Sequence, residues 1–224
     1  EVRQEQRKFA LAMSVPLDRS GSMSAPAGPG LVKMDLANQG TVAAIERLGP
    51  LDSISVIAVD SSPHVVVPQS AVDDVGEIIE KVRRIESSGG GIFVGEALHA
   101  AADQLASAPQ RNKHIVLFAD AADAEEPGDY RTFVPELLAR GVTVSVIGLG
   151  AETDSDAALL KEIAVLGGGR CFFAADPADL PRVFAEETMQ VARATFQDEA
   201  TALDARPELR ALGDLDLGPG PTLG

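Results

Sequence analysis

The sequence predicts an α/β fold in which a mostly parallel sheet carries helices on both faces, and three observations support this. Short, continuous apolar runs indicate buried strands. Segments with apolar residues at helical spacing separate these runs in nearly strict alternation, which is typical of parallel sheets. One pair of runs is joined only by the four-residue turn at 60–63, which is too short for a parallel return, so we expect an antiparallel hairpin there.

The first predicted strand is the apolar run FALAMSVPL at residues 9–17, which is bounded by charged residues on both sides. Pro16 has no N–H and would remove one hydrogen bond from a central strand, so we expect it at the end of this strand. The other predicted strands are 53–59, 64–68, 114–120, 142–150 and 170–174.

Helices are expected between these strands. The first extends from about Leu31 to Leu48, and Gly49-Pro50 ends it, since this pair is a strong stop signal. The second helix covers about 75–85 and is ended by the glycines at 89–91. The remaining predicted helices are 94–106, 132–139, 156–166 and 178–195.

The composition restricts the classes of partner. Of the 224 residues, 45% are hydrophobic and 24% are charged, which is enough for one sizeable core. The formal net charge of -15 argues against nucleic acid or anionic lipid as a partner, because phosphates are bound by basic surfaces. Cys171 is the only cysteine, so no internal disulfide can form, and its place in an apolar run predicts an inert thiol.

The predicted domain organisation is a lead-in at 1–8, one domain at 9–195, and an acidic linker or start of a further domain at 196–224. No apolar run reaches the ~18 residues of a membrane span, so we expect a soluble chain that does not cross a membrane. Because the chain begins with Glu1 and ends in GPGPTLG, we expect it to be a piece of a longer protein. The sequence does not indicate the compartment.

Polar residues follow two of the predicted strands at positions that suit metal binding. The motif DRSGS at 18–22 follows the first strand, and Asp120 ends the run HIVLFAD. In a parallel sheet the carboxyl ends of the strands line one crevice, where the loop at 88–93 is also expected. Two carboxylates and two hydroxyls from these loops form a set of hard oxygen ligands that suits Mg²⁺ or Mn²⁺.

The motif DRSGSM directly after an apolar strand resembles the metal ion-dependent adhesion site of von Willebrand factor A domains, which also occurs in integrin I domains. The similarity covers roughly residues 9–195 and includes the order of the elements and the GGG loop before a helix. The runs LFADAADAEEPGDY and VSVIGLGAETDSDAALLKEIA resemble A domains of large, membrane-anchored bacterial proteins. The resemblance implies a doubly wound, Rossmann-like sheet of six strands with one antiparallel edge strand.

The same resemblance implies a metal-dependent binding module and not an enzyme. Ser20 and Ser22 match the direct hydroxyl ligands of the family, and Asp18 and Asp120 match its two carboxylates, of which one or both act through water. The implied ion is Mg²⁺, with Mn²⁺ and Ca²⁺ as alternatives. Its open coordination position would accept an acidic side chain from another protein or from another domain of the parent chain, which we expect to be anchored in a bacterial membrane.

This chain departs from the family pattern at two places. Ile92 stands where the family usually has a threonine, and Ala119-Asp120-Ala121 stands where Thr-Asp-Gly is frequent. Since Ile92 offers no oxygen, we expect metal binding to be weakened but not lost, with water in the vacant position. Ser88 and Gly91 are candidate supporting residues, and Ser87 is an alternative to Ser88.

Two alternative functions stay open at this point. An interaction domain that has lost its metal is compatible with Ile92. A metal-dependent hydrolase would use Asp18 as its nucleophile, but Ser20 stands where a second carboxylate is expected. We also find no lysine or histidine placed as an acid–base partner in the same loops, which argues against the enzyme.

The remaining polar features have ordinary explanations. The glycines at 89–91 match no phosphate-binding motif and predict a flexible turn. The histidines lack metal-ligand spacing and are interpreted as surface or strand residues; they are His64, His99 and His114. The acidic residues after Asp120 predict a solvated loop. These are Asp123, Glu125, Glu126 and Asp129.

Overall fold

The computed structural model describes residues 7–8, 10–122, 124–194 and 196–197. The strands are β1 (Arg7–Lys8), β2 (Leu11–Asp18), β3 (Pro26–Gly28), β4 (Leu31–Val32), β5 (Ser53–Val59), β6 (Pro63–Ala71), β7 (Ile92–Phe93), β8 (Asn112–Asp120), β9 (Ala124–Glu125), β10 (Val142–Leu149), β11 (Gly168–Ala174) and β12 (Phe196–Gln197). The helices are α1 (Lys33–Ile45), α2 (Val75–Val82), α3 (Val94–Ala106), α4 (Tyr130–Ala139), α5 (Ala157–Leu166) and α6 (Leu180–Ala194).

Six of these strands form one sheet in the order β11-β10-β8-β2-β5-β6. All neighbours are parallel except β6, which runs antiparallel to β5 at the edge and confirms the predicted hairpin. From β2 the chain first continues to β5 and β6 on one side, then crosses to β8 on the other, so the strand order reverses between β2 and β8. The predicted doubly wound fold is thereby confirmed, and the switch point lies where Asp18 and Asp120 end their strands.

Hydrophobic layers cover both faces of the sheet. Val116 and Phe118 of β8 join the layer formed with α1, α2 and α6. Leu117 and Ala119, which alternate with them, join the layer formed with α3, α4 and α5. Strands buried on both faces have no polar side, which explains why they occur in the sequence as continuous apolar runs.

Pro16 lies inside β2, two residues before the strand ends at Asp18, so the prediction that it ends the strand is wrong. It stands opposite Ile57 of β5. The pairing of β2 with β8 runs from Leu11 to Ser14 and resumes at Leu17. A residue without an N–H is accommodated here because the ladder toward β8 is interrupted around it.

The first helix begins later than predicted. Leu31 and Val32 form β4, which pairs with β3 in a small hairpin, and α1 starts at Lys33. The carboxylate of Asp35 accepts a hydrogen bond from the backbone N–H of Val32 at 2.8 Å and so caps the helix. This hairpin fixes the position of Lys33 relative to the loop after β2.

Both ends of the predicted domain lie together, because β1 pairs antiparallel with β12. The rest of the predicted lead-in, 1–6, and of the predicted linker, 198–224, lies outside the described residues. Among the helices in the described part of the chain, none is both long and apolar enough to span a membrane.

Candidate functional site

Asp18 connects the two loops in which the sequence places the candidate ligands. Its Oδ1 accepts a hydrogen bond from the backbone N–H of Ser20, and its Oδ2 accepts one from the backbone N–H of Asp120, both at 2.8 Å. The side chain is fully buried. The carboxylate of Asp18 therefore holds the serine loop and the end of β8 against each other.

The two serine hydroxyls lie side by side. Ser20 Oγ is 3.0 Å from Ser22 Oγ. A short 3₁₀ turn, Gly21–Ser24, shapes the loop between them, and Met23 anchors this turn because its side chain is fully buried. Ser20 is buried and Ser22 is half-buried, so of the two residues Ser22 is the one in contact with solvent.

Asp120 uses its two carboxylate oxygens differently. Oδ1 accepts a hydrogen bond from the backbone N–H of Ala122 at 3.1 Å. Oδ2 accepts one from Nζ of Lys33, also at 3.1 Å, in an ion pair whose carboxylate side chain is only 6% exposed. The residue expected to bind metal thus already has a cationic partner from this chain.

Burial dominates the electrostatics of Asp18. It raises the pKa of this carboxyl from 3.8 to about 6, although the hydrogen bonds from Asp120 and Ser20 lower it. The nearby charge of Asp120 raises the pKa further. Two carboxylates in a buried site favour a positive charge beside them.

The glycine-rich loop at 88–93 packs directly against the serine loop. Gly21 donates its N–H to the carbonyl of Gly90 at 3.0 Å, and Ser88 donates its N–H to the carbonyl of Arg19 at 2.6 Å. Ser88 is thus joined to the site through its backbone. A Cβ on Gly91 would lie 2.6 Å from the carboxyl carbon of Glu125, so this position needs a glycine unless that side chain moves.

Ile92 is fully buried and belongs to the core layer on the α3 side of the sheet. Together with Phe93 it forms β7, which pairs with β9. The position that usually carries a threonine in the family therefore contributes apolar packing here.

A third acidic residue at a strand end, Asp60, was missed from the sequence. Its Oδ2 accepts a hydrogen bond from Nε of Arg19 at 2.9 Å, and Nη2 of Arg19 lies 2.7 Å away in the same ion pair. Burial alone would raise the pKa of Asp60, but the hydrogen bonds from Arg19 and Ser62 bring it below its ordinary value. The backbone carbonyl of Asp60 also accepts the N–H of Phe93 at 2.9 Å, so this residue joins the serine loop to the glycine loop. Its position directly after β5 was the available signal.

Lys33 was also missed. The sequence search for a lysine or histidine was limited to the candidate loops, and this lysine contacts Asp120 from the first turn of α1, outside those loops. The available signal was that Lys33 is the only lysine or arginine between Arg19 and Arg47.

The other polar features show no competing site. In the described part of the chain, no three His, Cys, Asp or Glu residues are grouped so that they could hold a metal. His99 pairs with exposed Asp129 at 3.0 Å, while His114 is buried beside Glu187. Burial raises the pKa of Cys171 to about 11, which keeps the thiol protonated and unreactive near neutral pH. Asp123 lies outside the described residues.

A comparison of the sequence with protein-family profiles agrees with the geometry at the switch point. The sequence profile of the von Willebrand factor type A domain matches residues 15–186. The chain belongs to this family. Domains of this family, here called VWA domains, mediate protein interactions.

Among curated proteins, this VWA domain is similar to the uncharacterized protein sll0103 of Synechocystis sp., with 23% identity over 205 residues. The aligned region is 90% of this chain but 46% of that protein. Among solved structures it is similar to the von Willebrand factor type A protein from Catenulispora acidiphila, with a TM-score of 0.70 and 25% identity over 82% of this chain and 43% of that one. The chain thus spans less than half of each of these relatives.

Two more distant structures share the fold. BatB from Bacteroides thetaiotaomicron has a TM-score of 0.68 and 18% identity, and the alignment covers 82% of this chain and 100% of that one. Proximal thread matrix protein 1 from the mussel byssus, in a structure described as having a zinc-occupied MIDAS motif, has a TM-score of 0.68 and 16% identity over 84% of this chain and 46% of that one. The bacterial resemblance and the Rossmann-like fold expected from the sequence are confirmed.

Proposed function

We propose that this VWA domain binds a partner protein through a divalent cation held by Asp18, Ser20, Ser22 and Asp120. The ion that fits best is Mg²⁺, with Mn²⁺ or Ca²⁺ as alternatives. The ligand that completes its coordination is an acidic side chain of another protein or of another domain of the parent chain. The site is a place of binding and not of catalysis.

The observation that carries this proposal is the spacing of the two hydroxyls. Ser20 Oγ and Ser22 Oγ are 3.0 Å apart. In an octahedron with metal–oxygen distances of about 2.1 Å, neighbouring ligand atoms stand about 3.0 Å apart. The two hydroxyls thus have the separation of adjacent ligands around Mg²⁺. They are hard oxygen donors, which this ion prefers.

The two carboxylates have different roles in this proposal. Both oxygens of Asp18 accept backbone N–H groups, so Asp18 supplies negative charge and orients the loop, and it reaches the ion through water. Asp120 has one oxygen, Oδ2, on the side of the Lys33 ammonium, where a cation is already tolerated. Together the two charges balance a divalent ion and leave coordination positions open.

An acidic partner side chain requires the positive charge of the ion. The formal net charge of -15 repels acidic proteins at long range, so an acidic side chain needs a concentrated positive charge to bind here. A divalent ion with an open position provides this charge. The zinc reported in the mussel byssus protein is a precedent for a filled site in this fold.

Mn²⁺ binding tests the metal part of the proposal. Free Mn²⁺ is quantified by its electron paramagnetic resonance signal, which disappears on binding. We expect the native chain to bind one Mn²⁺, with Mg²⁺ as a competitor, and the double variant Ser20→Ala with Ser22→Ala to bind none. The matched control is Ser61→Ala with Ser62→Ala, which removes two exposed hydroxyls from a neighbouring turn. Equal binding by both double variants would place the ion elsewhere.

A short peptide tests the acidic partner. An acetylated, amidated Gly-Gly-Glu-Gly-Gly peptide, ¹³C-labelled at the side-chain carboxyl, is mixed with the Mn²⁺-loaded chain, and carbon relaxation is measured. We expect faster relaxation of this carbon than with the serine double variant, and no such effect at the side-chain amide carbon of the matching Gln peptide. Identical relaxation of the two peptides would contradict binding of the carboxylate.

One observation favours a second function, an interaction domain that works without metal. Lys33 already neutralises Asp120, and Ile92 removes a ligand that the family usually has. In that case neither Mn²⁺ nor a chelator would change partner binding. Catalysis is tested by turnover of p-nitrophenyl phosphate with Mg²⁺; turnover that is lost in Asp18→Asn would overturn the proposal of a binding module.

A further inference from the structure

Lys33 places its ammonium beside the candidate metal ligand Asp120, and the start of α1 holds it there. Its backbone N–H donates to the carbonyl of Ala25 at 3.0 Å, which ties the start of α1 to the end of the serine loop. From this point the side chain reaches Asp120 Oδ2 at 3.1 Å and is itself only 26% exposed. The contact is thus built from a helix start, a loop and a strand end, and is not a chance pair on an open surface.

Among the described residues, Lys33 is the cation that forms an ion pair with Asp120. Arg19 is the nearest alternative in the sequence, but its guanidinium is engaged with Asp60. Lys33 is therefore the ammonium that the described residues place beside Asp120, in a chain of formal net charge -15. Its contribution in the metal-free state is to stabilise Asp120, which is 4% exposed.

The oxygen that Lys33 contacts is also the one a metal needs. Oδ1 of Asp120 accepts the N–H of Ala122, which leaves Oδ2 for a cation. A divalent ion and an ammonium that share this oxygen repel each other strongly, because the surroundings are largely protected from water. The ammonium must leave Oδ2 before the ion can bind.

We infer that Lys33 is a tethered competitor that sets the metal affinity of this site. The inference rests on the proposed metal-dependent function and adds to it a threshold: the domain binds the ion only at concentrations that displace the ammonium. Lys33 acts while it stays charged, so the effect is a competition between two cations. Removing the positive charge is expected to have opposite effects on the two states, weakening the metal-free fold and tightening metal binding.

The experiment compares Lys33→Met and Lys33→Gln with Lys81→Met and Lys81→Gln. Lys81 is an exposed lysine of α2 that pairs with Glu77, so its variants change the net charge by the same amount away from the site. Mn²⁺ affinity is measured by electron paramagnetic resonance, and melting is measured in chelator. We expect both Lys33 variants to bind Mn²⁺ at least tenfold more tightly than the native chain and to melt at lower temperature in chelator. The Lys81 variants should stay within twofold of the native affinity.

A triple variant shows whether any gain in Mn²⁺ affinity arises at the candidate site. Ser20→Ala and Ser22→Ala are added to Lys33→Gln, and the tighter binding should be lost. If the gain survives these changes, it arises elsewhere and the inference is wrong. A general loss of folding in the Lys33 variants would lower both stability and metal affinity, which also contradicts the expected opposite effects.

The outcomes separate this inference from the proposed function. If the native chain and the Lys33 variants bind Mn²⁺ equally, Lys33 is no competitor, while metal-dependent binding stands. If only the Lys33 variants bind, the competitor is confirmed, and the native domain in isolation does not carry the metal-dependent function. If none of the proteins binds, both ideas are wrong.

Discussion

Oδ2 of Asp18 accepts a hydrogen bond from the backbone N–H of Asp120, a residue 102 positions further along the chain, at 2.8 Å. This bond crosses the switch point of the sheet and joins the ends of its two central strands. The other oxygen of the same carboxylate holds Ser20. One buried side chain thus couples the geometry of both candidate ligand loops.

Asp18→Ala is expected to release both loops at once. The amide groups of Ser20 and Asp120 lose their acceptor, and a buried N–H without a partner costs about 1–3 kcal/mol. Hydrogen exchange in the metal-free protein should therefore accelerate at least tenfold at both amides. The amide of Val146, in the middle of β10, is the internal control and should keep its rate. Unchanged protection at Asp120 would contradict the coupling.

Asp60→Asn is expected to weaken the contacts that join the serine loop to the glycine-rich loop. Arg19 loses a partner at 2.7 Å that is only 8% exposed, and breaking a largely buried pair costs about 3 kcal/mol. Chemical denaturation should show this loss in the free energy of unfolding, together with a severalfold weaker affinity for Mn²⁺. Asp73→Asn changes an exposed carboxylate in a turn and serves as the matched control. A stable Asp60→Asn variant with native affinity would show that Arg19 needs no partner.

Ile92→Thr is expected to exchange stability for metal affinity. Ile92 is fully buried, so losing apolar atoms and burying a hydroxyl should cost roughly 1–3 kcal/mol. If the position still faces the site, the new hydroxyl adds one ligand and tightens Mn²⁺ binding severalfold. Ile57→Thr makes the same chemical change in the same core layer and should cost stability without changing the affinity. A similar result for both variants would mean that position 92 no longer belongs to the site.

The fold could be predicted from the sequence because the two main signals, the apolar runs and the short turn between two of them, are local. Continuous apolar runs mark strands that are buried on both faces, and the turn at 60–63 excludes a parallel return, which gives the antiparallel edge strand. Pro16 was misplaced because its acceptance depends on the interrupted pairing with β8, a property of the sheet and not of the strand alone.

The candidate site was predictable only in part, for the same reason. Asp18, Ser20 and Ser22 belong to one motif, and Asp120 ends a strand. Lys33 and Asp60 act through partners that are 87 and 41 residues away in the chain, and no spacing rule connects them. Whether the four predicted ligands coordinate an ion stays a prediction that the Mn²⁺ measurements decide.

Glu187 of α6 is expected to contribute to the loss of stability at acid pH. It is 1% exposed and lies 2.6 Å from Nη2 of Arg170 and 3.6 Å from Nε2 of His114. Burial alone would raise the pKa of Glu187, but its interactions with His114, Ser145 and Arg170 bring it below the ordinary value of 4.5. A carboxyl with a lowered folded-state pKa stabilises the fold fully above the unfolded-state value, and this contribution is lost as the pH falls below about 4.5 through the folded-state pKa.

Glu187→Gln should therefore destabilise the domain by about 1.5–3 kcal/mol at pH 7, because Arg170 loses its charged hydrogen-bonding partner. The loss of stability between about pH 5 and pH 3, measured as the urea midpoint at each pH, should also be smaller in this variant, because the glutamine side chain has no carboxyl to protonate. Glu186→Gln is the matched control, because this neighbour is exposed and pairs only with the exposed Arg182 among the described residues. If the Glu187→Gln variant loses as much stability at acid pH as the native chain, other carboxylates cause that loss.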